Sequence, residues 1–294
     1  MRVLVTGGTG LLGWWVVKAF AEAGYSVYAT YHSHRPEGGE ARWVYLDLAD
    51  LTAVPDVVKS VGPDVVVHTA AYTDVDGCEL RRDYAYAVNY LATRALAKAA
   101  GDRAFFVYVS TDYVFDGGRG LYREGDVPNP VNFYGLSKLL GEVAVESVAG
   151  RFAVVRVSGL FGVSPWGKRN FGFRALESLA RGEEVRAFVD QYLSPTYVPW
   201  LAERIRLLVE RGVGGVVHLA GERLSRFEFA LLLAEALGVD RGLVKPARLE
   251  EAALPAKRPR DSSLDTSKAA GLGLAMPPTR EAVAHFVQSF KHAV

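Results

Sequence analysis

The sequence predicts an α/β fold, a doubly wound parallel sheet followed by a smaller C-terminal α/β lobe. Short β-branched runs alternate with helical patterns through the first half of the chain, as a parallel sheet covered on both faces requires. The early runs are also continuously apolar rather than alternating, as in strands buried on both sides. Strands are expected at residues 3–5, 27–30, 43–46, 65–68, 105–110 and 152–157, with helices between them at 11–23, 50–61, 83–100 and 133–148. Beyond residue 157 the rhythm loosens. Helices are expected at 170–181, 201–211, 226–237 and 279–291, and 216–219 reads as one more strand of the sheet.

Between the first strand and the first helix lies Thr6-Gly7-Gly8-Thr9-Gly10-Leu11-Leu12-Gly13. Glycines there allow a tight turn and a close approach of backbone N–H groups to a pyrophosphate, which the helix N-terminus favours electrostatically. The residues fit both GxxGxxG and GxGxxG, and in a strand–loop–helix setting they predict dinucleotide binding on a Rossmann-type sheet. Residues 1–157 are therefore expected to form a dinucleotide-binding domain, to whose sheet a later strand near 213–220 returns. Residues 158–294 would mainly form a substrate-binding lobe. The second strand ends in Ala29-Thr30-Tyr31-His32-Ser33-His34-Arg35, with no Asp or Glu to bind a ribose 2′-hydroxyl. Arg35 and the histidines suit a 2′-phosphate, which favours NADPH, with NADH as the alternative.

Tyr134-Gly135-Leu136-Ser137-Lys138 places a phenol and an ammonium four residues apart on one helix face. A neighbouring ammonium favours the phenolate, so it would lower the Tyr134 pKa and poise the hydroxyl for proton transfer. Taken alone, the pair could equally be a helix-surface contact.

Composition removes several classes. The 34 basic and 33 acidic residues balance, giving no reason to expect nucleic acid or a membrane surface as partner. No apolar stretch approaches the roughly 18 residues of a membrane span. Met1 leads directly into the strand-like Arg2-Val3-Leu4-Val5, leaving no room for a signal peptide, so a cytoplasmic protein is expected. Cys78 is the single cysteine and reads as a small, partly buried side chain. The six histidines show no metal-ligand spacing, so no structural zinc is expected.

Longer motifs extend the picture. His68-Thr69-Ala70-Ala71-Tyr72-Thr73-Asp74-Val75-Asp76 follows the fourth strand, and Ala87-Val88-Asn89 lies in the next helix. Ser110-Thr111-Asp112-Tyr113-Val114-Phe115-Asp116-Gly117 closes the fifth strand. Asp190-Gln191-Tyr192-Leu193-Ser194-Pro195-Thr196 and Arg258-Pro259-Arg260-Asp261-Ser262-Ser263-Leu264-Asp265-Thr266-Ser267-Lys268 follow. With these residues the chain resembles the extended short-chain dehydrogenase/reductases over nearly its whole length, and more narrowly the dTDP-4-dehydrorhamnose reductase family.

The resemblance implies that Thr111, Tyr134 and Lys138 are the catalytic trio. Tyr134 would protonate the oxygen on C4 of a sugar as hydride arrives, Lys138 would hold the nicotinamide ribose, and Thr111 would hydrogen-bond the reacting oxygen. Thr111 could otherwise cap the local backbone. Gly7, Thr9, Gly10, Leu11, Leu12, Gly13, Arg35, Asp47, Leu48, Ala70, Ala71 and Tyr72 would surround the cofactor, and Asn89 would support the Ala70–Tyr72 turn. Arg258 would meet a diphosphate, for which a delocalised planar cation is suited; it could otherwise belong to a surface cluster with Lys257 and Arg260. Thr73, Val75, Asp112 and Tyr113 would be sugar-side contacts.

Two positions depart from the family pattern. Gly159 stands where the family usually has a tryptophan beside the sugar, and Leu193 replaces a usual glycine. Trp166 could refill the lost aromatic surface, or Ser164-Pro165-Trp166-Gly167 could be an exposed turn. The expected activity is NADPH-dependent reduction of the 4-keto group of a nucleotide-activated deoxysugar, foremost dTDP-4-dehydrorhamnose. The rivals are a reductase or epimerase for another nucleotide sugar and a non-catalytic NADP-binding regulatory subunit. A homodimer is compatible with the resemblance, as is a divalent metal at a dimer contact, which some family members use.

Overall fold

The computed structural model describes residues 1–166 and 170–293. Seven parallel strands form its central sheet: β1 Arg2–Thr6, β2 Ser26–Tyr31, β3 Arg42–Tyr45, β4 Val65–His68, β5 Phe105–Thr111, β6 Arg151–Val157 and, much later in the chain, β11 Gly215–His218. Their order is β11-β6-β5-β4-β1-β2-β3, so the chain reverses direction across the sheet between β1 and β4. Ligands of such sheets gather at this switch point, outside the carboxyl ends of the strands. The late strand foreseen near 213–220 pairs with β6, with Val217 beside Val155.

The helices of the first half are α1 Leu11–Glu22, α2 Ala53–Val61, α3 Val75–Leu80, α4 Arg82–Tyr86, α5 Ala92–Ala100 and α6 Phe133–Val148. One face of the sheet packs on α2, α5 and α6 through Leu4, Val66, Phe106, Tyr108 and Leu96. The opposite face packs on α1 and on α8 Val198–Glu210 through Val5, Val107, Val155, Phe20 and Ile205. Strands enclosed by helices on both sides must be apolar throughout, which explains the unbroken runs in β4 and β5.

Three differences from the sequence expectation have local causes. The helix expected from residue 50 begins at Ala53, because the Asp50 carboxylate accepts from the backbone N–H groups of Thr52 and Ala53 and shapes a turn first. The helix expected over 83–100 is interrupted by a π-turn, Ala87–Leu91, which contains Asn89; such turns occur often at functional sites. The unexpected α3 starts where the Asp74 side chain caps the N–H of Gly77 at 3.0 Å.

In the second half, α7 Phe171–Ala180, α9 Arg226–Leu237 and α11 Thr279–Ala293 surround a separate apolar cluster built on Phe161, Leu176, Phe229, Leu233 and Phe286. Three small sheets accompany it. β7 Leu160–Phe161 pairs with β10 Thr196–Tyr197, β9 Tyr192–Leu193 with β12 Leu224–Ser225, and β8 Val185–Phe188 with β13 Val244–Ala247. A short helix, α10 Ser267–Gly271, packs against β11. Among the described residues no helix is long and apolar enough to cross a membrane.

Candidate active site in the cleft at the switch point

A cavity of about 700 Å³ opens at the carboxyl ends of β1, β4 and β5 and continues towards α7 and α9. Its floor is the glycine loop. Gly13 lies so close to the turn that a β-carbon there would stand 2.0 Å from the carbonyl oxygen of Gly7. Only glycine permits this approach of α1 to the loop. The N-cap of α1 is Gly10, without a side-chain hydrogen bond. The first N–H groups of the helix are thus uncapped by side chains, as a pyrophosphate site requires. Gly7, Thr9, Gly10, Leu11, Leu12 and Gly13 all line the cavity, together with Ala70 and Ala71.

Asn89 fixes the adjoining turn. Its buried amide accepts from Tyr72 N–H at 2.8 Å, donates to Tyr72 C=O at 3.0 Å, and donates to Ser137 Oγ at 2.9 Å. Tyr72 thereby takes part through its backbone, while its ring turns away to pack edge-on against Tyr84. At the end of β2, His32, Ser33 and His34 reach the cavity wall, whereas Arg35 lies exposed outside it. Asp47 stands 3.6 Å from His32, and neither Asp47 nor Leu48 lines the cavity.

Thr111, Tyr134 and Lys138 converge on the middle of this space. Tyr134 and Lys138 sit in the first turns of α6, which Asn132 caps by accepting from Gly135 N–H at 2.9 Å. The Thr111 hydroxyl lies within hydrogen-bond reach of the Tyr134 phenol. It also accepts from Tyr113 N–H at 3.2 Å, so the backbone cap and the cavity-facing position coexist. Lys138 is buried; its Nζ donates to Val109 C=O at 2.8 Å and lies 4.1 Å from the centre of the Tyr108 ring.

This arrangement corrects the expected electrostatics. Burial lowers the Lys138 pKa to about 7, against the opposing charge of Glu142. With that weakened cation turned onto a carbonyl and a ring face, burial dominates at Tyr134 and pushes its phenol well above the usual range. The residue is held as a protonated phenol, not poised as a phenolate. Nearby His68, hydrogen-bonded to Thr6 at 2.6 Å and Thr93 at 3.0 Å, is kept neutral by burial, with its pKa down at about 3.

A match to the family described as the RmlD substrate binding domain runs through residues 1–292. The chain belongs to this family. Its members share the extended short-chain dehydrogenase/reductase fold seen here. A probable low-salt glycan biosynthesis reductase, Agl14, of Haloferax volcanii is 36% identical over 99% of this chain and 98% of its own. Methionine adenosyltransferase 2 subunit beta of Xenopus tropicalis is 35% identical over 93% of this chain and 83% of its own. Among solved structures, dTDP-4-dehydrorhamnose reductase of Bacillus anthracis in complex with NADP superposes with a TM-score of 0.86. That protein is 32% identical and covers 97% of this chain and 98% of its own.

Within this RmlD-family chain, Thr73, Val75, Asp112 and Tyr113 line the cavity. The Asp112 carboxylate, however, is taken up by protein hydroxyls: Thr111 at 3.0 Å, Ser158 at 2.8 Å and Ser262 at 2.5 Å. These donors favour the carboxylate, but burial outweighs them and raises the Asp112 pKa; the group holds the Thr111 hydroxyl at the cavity wall. Arg258 also departs from expectation. It is paired fork-to-fork with Asp76 at 2.9 and 2.8 Å, donates to Ala256 C=O, and does not line the cavity.

Arg226, Phe171, Asn170 and Phe229 do line it and were not expected. Arg226 carried a legible signal: a cation in the first turn of a helix, just after the Ser225–Glu228 capping box, opposes the helix dipole. Trp166 lines the same cavity as Gly159. Its ring packs edge-on to Trp14 at 4.8 Å and Trp43 at 6.2 Å, near the glycine loop. The turn proposed around it extends to Gly167, which lies outside the described residues. Cys78 is buried, with its thiol pushed up to about 12 by burial.

The two departures from the family pattern compensate each other. A β-carbon on Gly159, whose φ is +52°, would stand 2.1 Å from Leu193 Cδ1. Leu193 therefore fills the space that a side chain at Gly159 would enter. Gly159→Trp alone should overpack this site and destabilise the fold by about 1–3 kcal/mol. Adding Leu193→Gly should recover part of the loss, which thermal melting of both variants would measure. Additive losses would refute the coupling.

Proposed function

We propose that this chain is an NADPH-dependent reductase of the 4-keto group of a nucleotide-activated deoxysugar, foremost dTDP-4-dehydrorhamnose. The observation that carries the reading is the meeting of a protonated, buried-side phenol, Tyr134, with the uncapped glycine loop in a single cavity. NADPH, when bound, supplies the hydride for C4. Tyr134 gives its proton to the C4 oxygen, so the carbonyl becomes an alcohol and the phenol is left as phenolate. Thr111, held by Asp112, positions the Tyr134 hydroxyl, and Lys138 supports the ribose. The glycine loop and the Ala70–Ala71 turn carry the dinucleotide, while Val75, Thr73 and Tyr113 flank the sugar.

The test follows NADPH absorbance with purified protein and enzymatically generated dTDP-4-dehydrorhamnose, with NADH run in parallel. Rapid oxidation with dTDP-rhamnose as product is expected, together with a higher kcat/KM for NADPH. Comparable efficiency with NADH would contradict the cofactor preference. The likeness to methionine adenosyltransferase 2 subunit beta supports a second reading, a regulatory subunit that binds NADP without turnover. NADPH bound tightly yet never consumed across a panel of keto-sugar nucleotides would favour that reading.

A further inference from the structure

Arg226 brings a positive charge into a stretch of cavity wall otherwise made by Tyr113, Phe171, Leu193 and Phe229. The guanidinium lies over the Phe171 ring, 4.8 Å from its centre, and Nε donates to Gln191 Oε1 at 2.7 Å. The Tyr113 hydroxyl is also within hydrogen-bond reach. A guanidinium carries five N–H donors in a fixed fork. The Phe171 ring face and the Gln191 contact hold the guanidinium in place, while two neutral acceptors leave donors over. Among the described residues no carboxylate forms an ion pair with it. Its position in the first turn of α9 opposes the helix dipole, a cost that Glu228 in the same turn offsets in part. Arg258, by contrast, has both arms of its fork committed to Asp76.

We propose that Arg226 binds the diphosphate of the sugar nucleotide, the role the sequence had suggested for Arg258. This rests on the reductase reading above and deepens it. The Tyr113 ring stands edge-on to the Tyr134 ring with centres 5.9 Å apart, and its hydroxyl end meets Arg226. The cation thus stands one aromatic ring beyond the proton donor. A hexose with C4 at Tyr134 carries its anomeric phosphate across the sugar ring, a comparable offset. A planar fork matches phosphate oxygens two at a time, which a lysine ammonium does not.

The deciding experiment is calorimetric titration of NADP-saturated protein with dTDP and with UDP, using wild type, Arg226→Gln, Arg226→Lys and Arg258→Gln. Arg226→Gln should weaken dTDP binding about 10–100-fold, as expected for losing hydrogen bonds to a charged group. Arg226→Lys should recover only part of it, and the affinity for NADP should be unchanged in both. In turnover, Arg226→Gln should raise KM for the sugar nucleotide far more than it lowers kcat. Equal dTDP affinity in wild type and Arg226→Gln would overturn the assignment and leave the reductase reading standing. A loss confined to Arg258→Gln, with its melting temperature preserved, would overturn it in favour of Arg258. If wild type binds NADP but neither nucleoside diphosphate, both this assignment and the nucleotide-sugar reading fall.

Discussion

Tyr134→Phe should lower kcat by about 10²–10⁴-fold, the usual contribution of a positioned general acid, while leaving NADPH affinity and melting temperature close to wild type. The ring is retained, so its edge-on contact with Tyr113 survives and only the hydroxyl is lost. That hydroxyl is the group beside Thr111 able to protonate an oxygen, and burial raises its pKa. A donor whose pKa lies above the usual tyrosine range stays protonated through neutral and mildly alkaline pH. The acid form needed for reduction is therefore not lost to deprotonation of Tyr134 between about pH 6 and 9, where an unperturbed tyrosine is already protonated. Stopped-flow turnover with saturating NADPH, together with cofactor titration by fluorescence, separates chemistry from binding. A variant retaining more than half of wild-type kcat would remove Tyr134 from the mechanism.

The parts of this site that were legible in the sequence are those where one residue type alone meets a local constraint. Gly13 is required by the approach of α1 to the Gly7 carbonyl, and that requirement shows as a fixed glycine spacing between a strand and a helix. The central strands were legible because enclosure on both faces makes their middle positions continuously apolar. What escaped depends on which distant segments meet. Nothing in the sequence says that Arg258 finds Asp76, 182 positions away, and is thereby withdrawn from the cavity. Nor does it say that Leu193 lies over Gly159, so that two apparent defects form one packed unit. The sign of the Tyr134 shift was missed for the same reason. Spacing puts Lys138 one helical turn from Tyr134, but only the packing shows its ammonium buried and turned onto Val109 and Tyr108.

Lys138→Met should make the ligand-free protein more stable at pH 7 while abolishing most turnover, because the fold holds this lysine at a cost. In the unfolded chain the side chain keeps its proton to about pH 10.4. In the folded chain it loses half its protonation by about pH 7. Between those values the unfolded state binds the extra proton, so stability rises with pH and the penalty is fully present below pH 7. Glu142 moderates the penalty, while His68, which stays neutral, adds no charge against it. Cys78 acts in the opposite sense above about pH 8.5, where the unfolded thiol ionises first, since burial holds the folded thiol up at about 12. Below about pH 7.5 the unfolded forms of His68 and His218 still bind protons that burial denies the folded ones, so the window from about pH 7.5 to 8.5 is the clean one for Lys138. Denaturant unfolding of wild type should show stability increasing across that window, and Lys138→Met should flatten the slope. The gain at pH 7 should be on the order of a few kcal/mol, reduced by the Val109 carbonyl left without its donor. A residue that costs stability at its working pH, and whose removal costs turnover, is retained for what it does to a bound ligand. An unchanged slope in Lys138→Met would show that another group carries the proton linkage, and undiminished kcat would free Lys138 from the reaction.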